Sequence, residues 1–474
     1  MSATSVLLST DLFDRIKVFQ HGMHLDMRPL KVLSRYPLGE LHLYTHLTSD
    51  HQAAMARADA VLAPWYAVRG PTQLACLFQW FPYTVRVVVT HAAYFGHVAI
   101  LEYLHDVYTI DRFQDLPLWN AAAANDHLDV LAFLYRHEYK SFYQQSSLSC
   151  AAATGAIAAI EWLHRHAIPC DCRDAQDVAA EMGQLETLQW LHSRGIGDTS
   201  LWAMNQAAKN GHLDVLVWLY DHTTGGCTTD AMDGAARNGH LDVLEWLVRH
   251  HTSATVASIQ YAAAHGLVDV VEWLLVHQPL LPKTERVMEA AAHHGHLDVV
   301  QALHDYGWPS SKQVLDRAAA GGHLQILQWL QYAKPQEGCT SSAMDDAARE
   351  GHLEVVQWLH EKYRSVGCST DAMDSAAMRG HLDVVRWLHR HRREGCSDQC
   401  LLNAARSGRL EMVQWLCRHR QECRGDEAKK VAAGHARRQG HTDIAQFLEG
   451  GVMEECHCSD CDGTRMTQLS CHMS

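Results

Sequence analysis

An all-helical stack of two-helix units is the fold class this sequence predicts, and three observations carry it. A nine-residue phrase, Gly239-His240-Leu241-Asp242-Val243-Leu244-Glu245-Trp246-Leu247, returns closely at Gly211, Gly295, Gly322, Gly351 and Gly380. Weaker copies begin at Gly96, Asp126, Gly155, Gly183, Gly266, Gly408 and Gly440, so the anchors stand 27 to 32 residues apart through thirteen units. A period of that length marks a stacked repeat array. The third observation is a column of Ser and Thr that opens a shorter helix ahead of each glycine in eight successive units.

The phrase itself predicts the longer helix. Leu241, Val243, Leu244, Trp246 and Leu247 form a wide apolar stripe at helical spacing, and Asp242 and Glu245 lie outside it. The last position is Leu in all thirteen units. The position before it is Trp in nine, and Trp162, Trp190, Trp218, Trp246, Trp273, Trp329, Trp358, Trp387 and Trp415 are read as structural repeat core. The anchor glycine is expected to end the preceding helix in the left-handed region, where a Cβ is costly. Asp126, the one substitute, is of a type that tolerates that region.

The shorter helix reads Met232-Asp233-Gly234-Ala235-Ala236, with copies at Met344 to Ala348 and Met373 to Ala377, and its alanines permit close helix approach. Ser200, Thr228, Thr255, Thr284, Ser311, Thr340, Ser369 and Ser397 precede it as expected N-caps. Each unit is therefore cap, helix, glycine turn, helix and short loop.

This pattern resembles the ankyrin repeat family. The resemblance rests on Ala235-Ala236-Arg237-Asn238-Gly239-His240-Leu241-Asp242-Val243 and its copies, and covers roughly residues 88 to 449. Two departures matter: the family's Thr-Pro-Leu-His stretch aligns with Asp230-Ala231-Met232-Asp233, and the period falls short of the family's ~33 residues. The resemblance implies an ankyrin-type helical solenoid of about thirteen helix-turn-helix repeats with trimmed fingers.

Residues 1 to 55 do not follow the repeat and are read as a helical N-terminal cap over the first apolar edge. A sharper alternative is an F-box-like segment, because Leu7, Leu8, Leu12, Phe13, Ile16 and Phe19 make an apolar helical face. Residues 56 to 87 form a degenerate first repeat, with Leu77 and Phe78 following Gly70 at the expected spacing. The array proper spans 88 to 449, and 450 to 474 is a polar Cys/His tail without the apolar face, expected to be disordered.

Composition bounds the function. A formal charge of −14 argues against general nucleic-acid binding. Residues 1 to 14 lack a basic region followed by an apolar core, and no stretch supplies the ~18 apolar residues of a membrane span. An intracellular, cytoplasmic protein is the expectation. Cys227, Cys339, Cys368 and Cys396 share one loop position and read as small reduced packing residues.

The abundant histidines fall mostly into columns. Nine follow the anchor residue and six follow the Leu column, a regularity that points to ring nitrogens bonding loop backbone between units. Asn120, Asp177, Asn205, Asp233, Glu289, Asp316, Asp345 and Asp374 form an acidic column, read as helix-end chemistry in the first turns of the short helix. No nucleophile pairs with a base at a defensible spacing, and no phosphate-cradling glycine loop is present. In the tail, Cys456, His457, Cys458, Cys461, Cys471 and His472 offer a zinc reading against the plainer one of free thiols, and no metal is assigned.

Lys209, Arg237, Arg349, Arg406 and Arg438 stand two residues before an anchor glycine and could line a basic, partner-binding stripe on the concave face. The same positions are favoured by the helix C-terminus alone, by ~0.3 to 1 kcal/mol. The reading is a non-catalytic interaction scaffold: it binds another protein, with no cofactor, no small-molecule substrate, no nucleic acid and no membrane. The alternative is a substrate-recruiting subunit of a ubiquitin ligase acting through the F-box-like N-terminus.

Overall fold

The computed structural model describes residues 49–250 and 252–450 together with Leu30 and Leu33. Among these residues every regular element is a helix and there is no strand, so the fold is an all-α helical solenoid. Two compact units divide the described residues: those up to 235 together with those between 242 and 252, and 236–241 together with those from 253 to 450.

Each repeat pairs a first helix, such as Lys312–Ala320, with a second, such as Leu324–Ala333. Between them the anchor residue turns the chain. All thirteen anchors have positive φ, from 58° at Asp126 to 90° at Gly380. The next residue then donates its N–H to a carbonyl five positions back, as His212 does to Ala207 (2.9 Å) and His352 to Ala347 (2.9 Å). This is the Schellman closure, which satisfies carbonyls that a helix end otherwise leaves unpaired.

The core is a ladder of small and branched residues. All thirteen members of the Leu column are buried, among them Leu219, Leu247, Leu274 and Leu303 at 0% exposure, and the alanine pairs of the first helices are buried opposite them. Full burial of a leucine contributes about 1.5 to 3 kcal/mol, and within each unit the regularly spaced leucines help bind a repeat to its neighbours. Within each unit, successive first helices pack against one another more extensively than second helices do, because alanine lets their backbones approach.

The tryptophans sit at the edge of that core. Trp358 is buried at 8% exposure, whereas the other eight are half-buried. A ring one position from the Leu column points toward the groove between second helices, and the indole is too large to be covered there.

The amino-terminal region departs from the plan in one respect. A single helix, Ser49–Arg69, runs through the boundary drawn between 55 and 56, because nothing in residues 49 to 56 breaks a helix. Gly70 (φ 68°) ends it, and Leu74–Trp80 follows with Leu77 and Phe78 buried.

Candidate interaction surface

What the repeat needs for stacking must be removed before a binding surface can be seen. The histidine after each anchor comes first. In seven repeats its ring lies where the Cβ of the preceding anchor glycine would be: His323 Cε1 is 2.5 Å from that point on Gly295, and His352 Cε1 is 2.6 Å from it on Gly322. The anchor is thus glycine for two reasons, a left-handed backbone and an occupied Cβ site. Where an Nε2 bond forms, it reaches the carbonyl two residues before that glycine: His127 to Tyr94 (2.9 Å), His296 to Ala264 (3.1 Å) and His323 to His293 (2.9 Å).

Asp126 shows the rule by its exception. Here the anchor carries a side chain, and the following repeat has Ala156 where the histidine would stand. The vacated space holds the carboxylate, which accepts the Ala159 N–H at 2.7 Å in the first turn of Ile157–Arg165.

The acidic column does more than sit near its own helix end: it bonds the cap of the next repeat. Asp316 accepts the Thr340 N–H (2.9 Å) and hydroxyl (2.6 Å) of the next repeat, and Asp177 accepts the same pair from Ser200 at 2.8 and 2.5 Å. Asp374 does so with Ser397, and Asp345 accepts the Ser369 N–H at 2.8 Å. Asn205 reproduces the clamp with polarity reversed in one arm, donating Nδ2 to Thr228 Oγ1 at 2.8 Å. Asp177 and Asp374 lie in the first turn of their helices and Asp316 and Asp345 just beyond it, and all four bond the neighbouring cap. Burial pushes the carboxyls of Asp316, Asp345 and Asp374 above the ordinary carboxylate range, against the hydrogen bonds that pull them down.

The cap column depends on this clamp. Ser200, Thr228, Thr255, Thr340, Ser369 and Ser397 each accept a backbone N–H two residues on. Thr284 and Ser311 do not, and their hydroxyls are buried without a partner. Their clamp positions hold Gln260 and Glu289, one methylene longer than Asn and Asp. A hydroxyl held from one side is aimed at the helix end; without the holder it is not.

The six histidines after the Leu column also differ from the expectation. His105 Nδ1 does meet a backbone N–H, that of Ile110 in its own repeat (3.3 Å). His192, His304, His360 and His389 instead meet the next repeat's tryptophan edge-on, with centroids 5.2 or 5.3 Å apart. A third histidine set, not separated in the sequence reading, completes the ladder. Four residues after the tryptophan, His166, His222, His250, His277 and His391 stack on that indole and bond its carbonyl through Nδ1. The Trp-x-x-x-His spacing was the available signal, since residues four apart share a helix face.

Of the basic residues, Lys209 lies in the first unit and the other four in the second. Lys209, Arg237, Arg406 and Arg438 are exposed at the ends of their helices. Arg349 is spoken for, bonded to Asp346 (2.8 Å) and Glu350 (3.1 Å), so its charge is largely neutralised. Arg237 lies over the Tyr261 ring at 5.2 Å, a cation–π contact on a 41% exposed tyrosine. In the first unit Leu201 and Trp202 open a first helix at 53% and 43% exposure.

Two side-chain groups fall outside the repeat logic. Asp59, His91 and His97 converge beside Tyr66, with His91 Nε2 3.1 Å from Asp59 and Nδ1 3.5 Å from the tyrosine hydroxyl. Burial holds His91 down at about 4, and the group fastens Ser49–Arg69 to Thr84–Tyr94. Asp374, Cys396 and Cys400 form the second, all buried. The F-box-like face from Leu7 to Phe19 and the tail residues Cys456, His457, Cys458, Cys461, Cys471 and His472 lie outside the described residues.

This geometry accords with the comparisons. Residues 204–248, 288–331, 344–389 and 373–417 match the family model for ankyrin repeats in many copies. The chain carries ankyrin repeats. Among solved structures the chain is similar to the human ASB11 ankyrin repeat domain, with 18% identity over 40% of this chain and 97% of that one, at a TM-score of 0.32. No curated relative matches. Ankyrin repeats are a protein–protein interaction module and generally a non-catalytic one. No described helix is long and apolar enough to cross a membrane.

Proposed function

We propose that this ankyrin array binds a partner protein through side chains of the first helices that stacking leaves free, with no chemistry performed. One observation carries the reading: Leu201, Trp202 and Tyr261 keep 53%, 43% and 41% of their surface exposed on helices that otherwise bury Ala203, Met204, Ile259 and their alanine pairs. Large aromatics and arginine dominate binding energy at interfaces, because they bury much area for few rotatable bonds. Tyr261 with Arg237 supplies such an anchor in the second unit, and Trp202 with Leu201 in the first. The exposed cations Lys209, Arg406 and Arg438 suit a partner with acidic side chains at its rim, where charge sets association rate more than affinity.

The test compares the full chain with its Trp202→Ala/Arg237→Ala/Tyr261→Ala variant by proximity labelling in cells, followed by binding of the recovered protein to both purified chains. Loss of the label, and affinity weakened about tenfold or more, equivalent to about 1.4 kcal/mol, is expected. An unchanged labelling profile with equal affinity from a variant of unchanged helicity refutes this surface.

A further inference from the structure

The loop cysteines of the second unit are not equivalent. Cys339, Cys368 and Cys396 occupy the same position in three successive repeats, and Cys423 follows 27 residues later. Four residues after the first two stand Ala343 and Ala372, each 1% exposed. Four residues after Cys396 stands Cys400, at 0% exposure. A thiol replaces a core methyl at one step of the ladder, between two column cysteines.

The consequence is a convergence found at no other described step. A carboxylate oxygen of Asp374 and the Sγ atoms of Cys396 and Cys400 all lie within 4.8 Å of one another. Cys423, also 0% exposed, follows in the next repeat's loop and neighbours these two thiols. These four residues come from a first helix (Asp371–Arg379), the loop and start of the next (Cys396, Cys400) and a third repeat's loop (Cys423). No disulfide joins them.

We propose that Cys396, Cys400 and Cys423, with Asp374 as fourth ligand, form a structural zinc site that staples three successive repeats. Thiolate is the ligand type that favours zinc over magnesium or calcium, and closed four-ligand shells characterise structural sites. With Zn–S bonds near 2.3 Å, tetrahedral ligand atoms lie roughly 3.8 Å apart, and the donor atoms of Asp374, Cys396 and Cys400 already lie within 4.8 Å of one another. Each ligating thiol releases its proton to solvent. Three thiolates and a carboxylate outweigh the ion's charge, and the neighbouring Arg420 guanidinium, held by Glu422 (2.8 Å) and His389 (3.3 Å), offsets part of the excess. The Ser397 N–H, 3.0 Å from Asp374 Oδ1, orients the carboxylate as an outer-shell donor.

The test uses the full chain with Cys456, Cys458, Cys461 and Cys471 replaced by serine, so that metal counted does not come from the tail. It is purified without chelator, titrated with zinc against a competing chromophoric chelator and assayed by mass spectrometry of the metal. One zinc per chain is expected, and reloading with cobalt should give a thiolate-to-metal charge-transfer band. Cys400→Ala, which restores the residue of neighbouring repeats, should reduce zinc to background and abolish the band while the helical signal persists. Should that variant not fold, Cys423→Ser provides the same readout. Zinc at background in the parent after titration, a Cys396–Cys400 or Cys396–Cys423 disulfide in its place, or zinc unchanged by both variants overturns the proposal.

Discussion

Replacing Gly295 with alanine tests the nesting of histidine against glycine. The φ of 88° charges any L-residue roughly 1 to 2 kcal/mol for the left-handed region. The added Cβ would then lie 2.5 Å from His323 Cε1 and 2.7 Å from Nδ1, so the ring must leave. Departure gives up the 2.9 Å bond to the His293 carbonyl, worth about 0.5 to 1.5 kcal/mol. A displaced, off-rotamer side chain costs a further 0.5 to 1.5 kcal/mol or so. The total is about 2 to 5 kcal/mol. Gly239→Ala in the same unit is the internal control, because its φ is 87° but its Cβ would meet only Leu267 at 3.6 Å, ordinary contact. That variant should cost about 1 to 2 kcal/mol, the backbone share alone. Urea unfolding reads both, with hydrogen exchange over residues 285 to 333 for Gly295→Ala and over Gly239's own repeat and the next for its control, and nearest-neighbour stability predicts lost protection near the substituted repeat. In a His323→Ala background the Gly295→Ala penalty should fall to the Gly239→Ala value. Equal penalties for the two glycines, or a Gly295 penalty that persists without the histidine, would refute the reasoning.

The clamp makes a second prediction: Asp316→Asn should match or exceed the parent at pH 7, since Asn205 shows that an amide holds a cap, whereas Asp316→Ala should cost about 1 to 3 kcal/mol. Because burial raises the Asp316 carboxyl, its favourable contribution is complete below the unfolded value near 3.9 and is lost as pH rises through the folded one. The advantage of the asparagine should therefore grow from pH 4 to 7 in paired thermal melts and vanish below. For His91 the sign is opposite: held down at about 4, it supports folding above the unfolded value near 6.5 and loses that support as pH falls toward 4. Exchange protection of Thr84–Tyr94 should fall over that window, and protection unchanged from pH 7 to 4 would remove the argument. Leu247→Ala, at a fully buried position, should cost about 2 to 5 kcal/mol, and Trp246→Ala clearly less, because the half-buried indole leaves a groove and not a closed cavity. Equal losses in chemical denaturation would return the tryptophan to the core.

Much of this was legible in the chain because a repeat writes its rules several times over. Thirteen recurrences of Leu at one position cannot be confused with chance burial, and the glycine column carried its left-handed turn on its face, including the exception at Asp126. Partners across repeats were harder to read. The acidic column and the hydroxyl column were each visible, yet their 23- or 24-residue separation crosses a turn and a loop, so nothing local joined Asp316 to Thr340 or Asp177 to Ser200. Thr284 and Ser311 were misread as caps for the same reason: their deficiency lies in Gln260 and Glu289, one repeat away.

By itself the sequence determined the helical units, their period, their turn residues and the leucine ladder, all consequences of local spacing and of what glycine alone permits. Tertiary structure decided which columns meet. It seated the histidine ring in the void of the preceding glycine and left most tryptophans half-buried, six of them stacked on their own histidines. It also bonded Arg349 to its neighbours and gathered Asp374, Cys396 and Cys400 from successive repeats into one buried cluster. Those contacts depend on how one repeat is rotated and shifted against the next, a quantity fixed by packing over many residues and written at no single position.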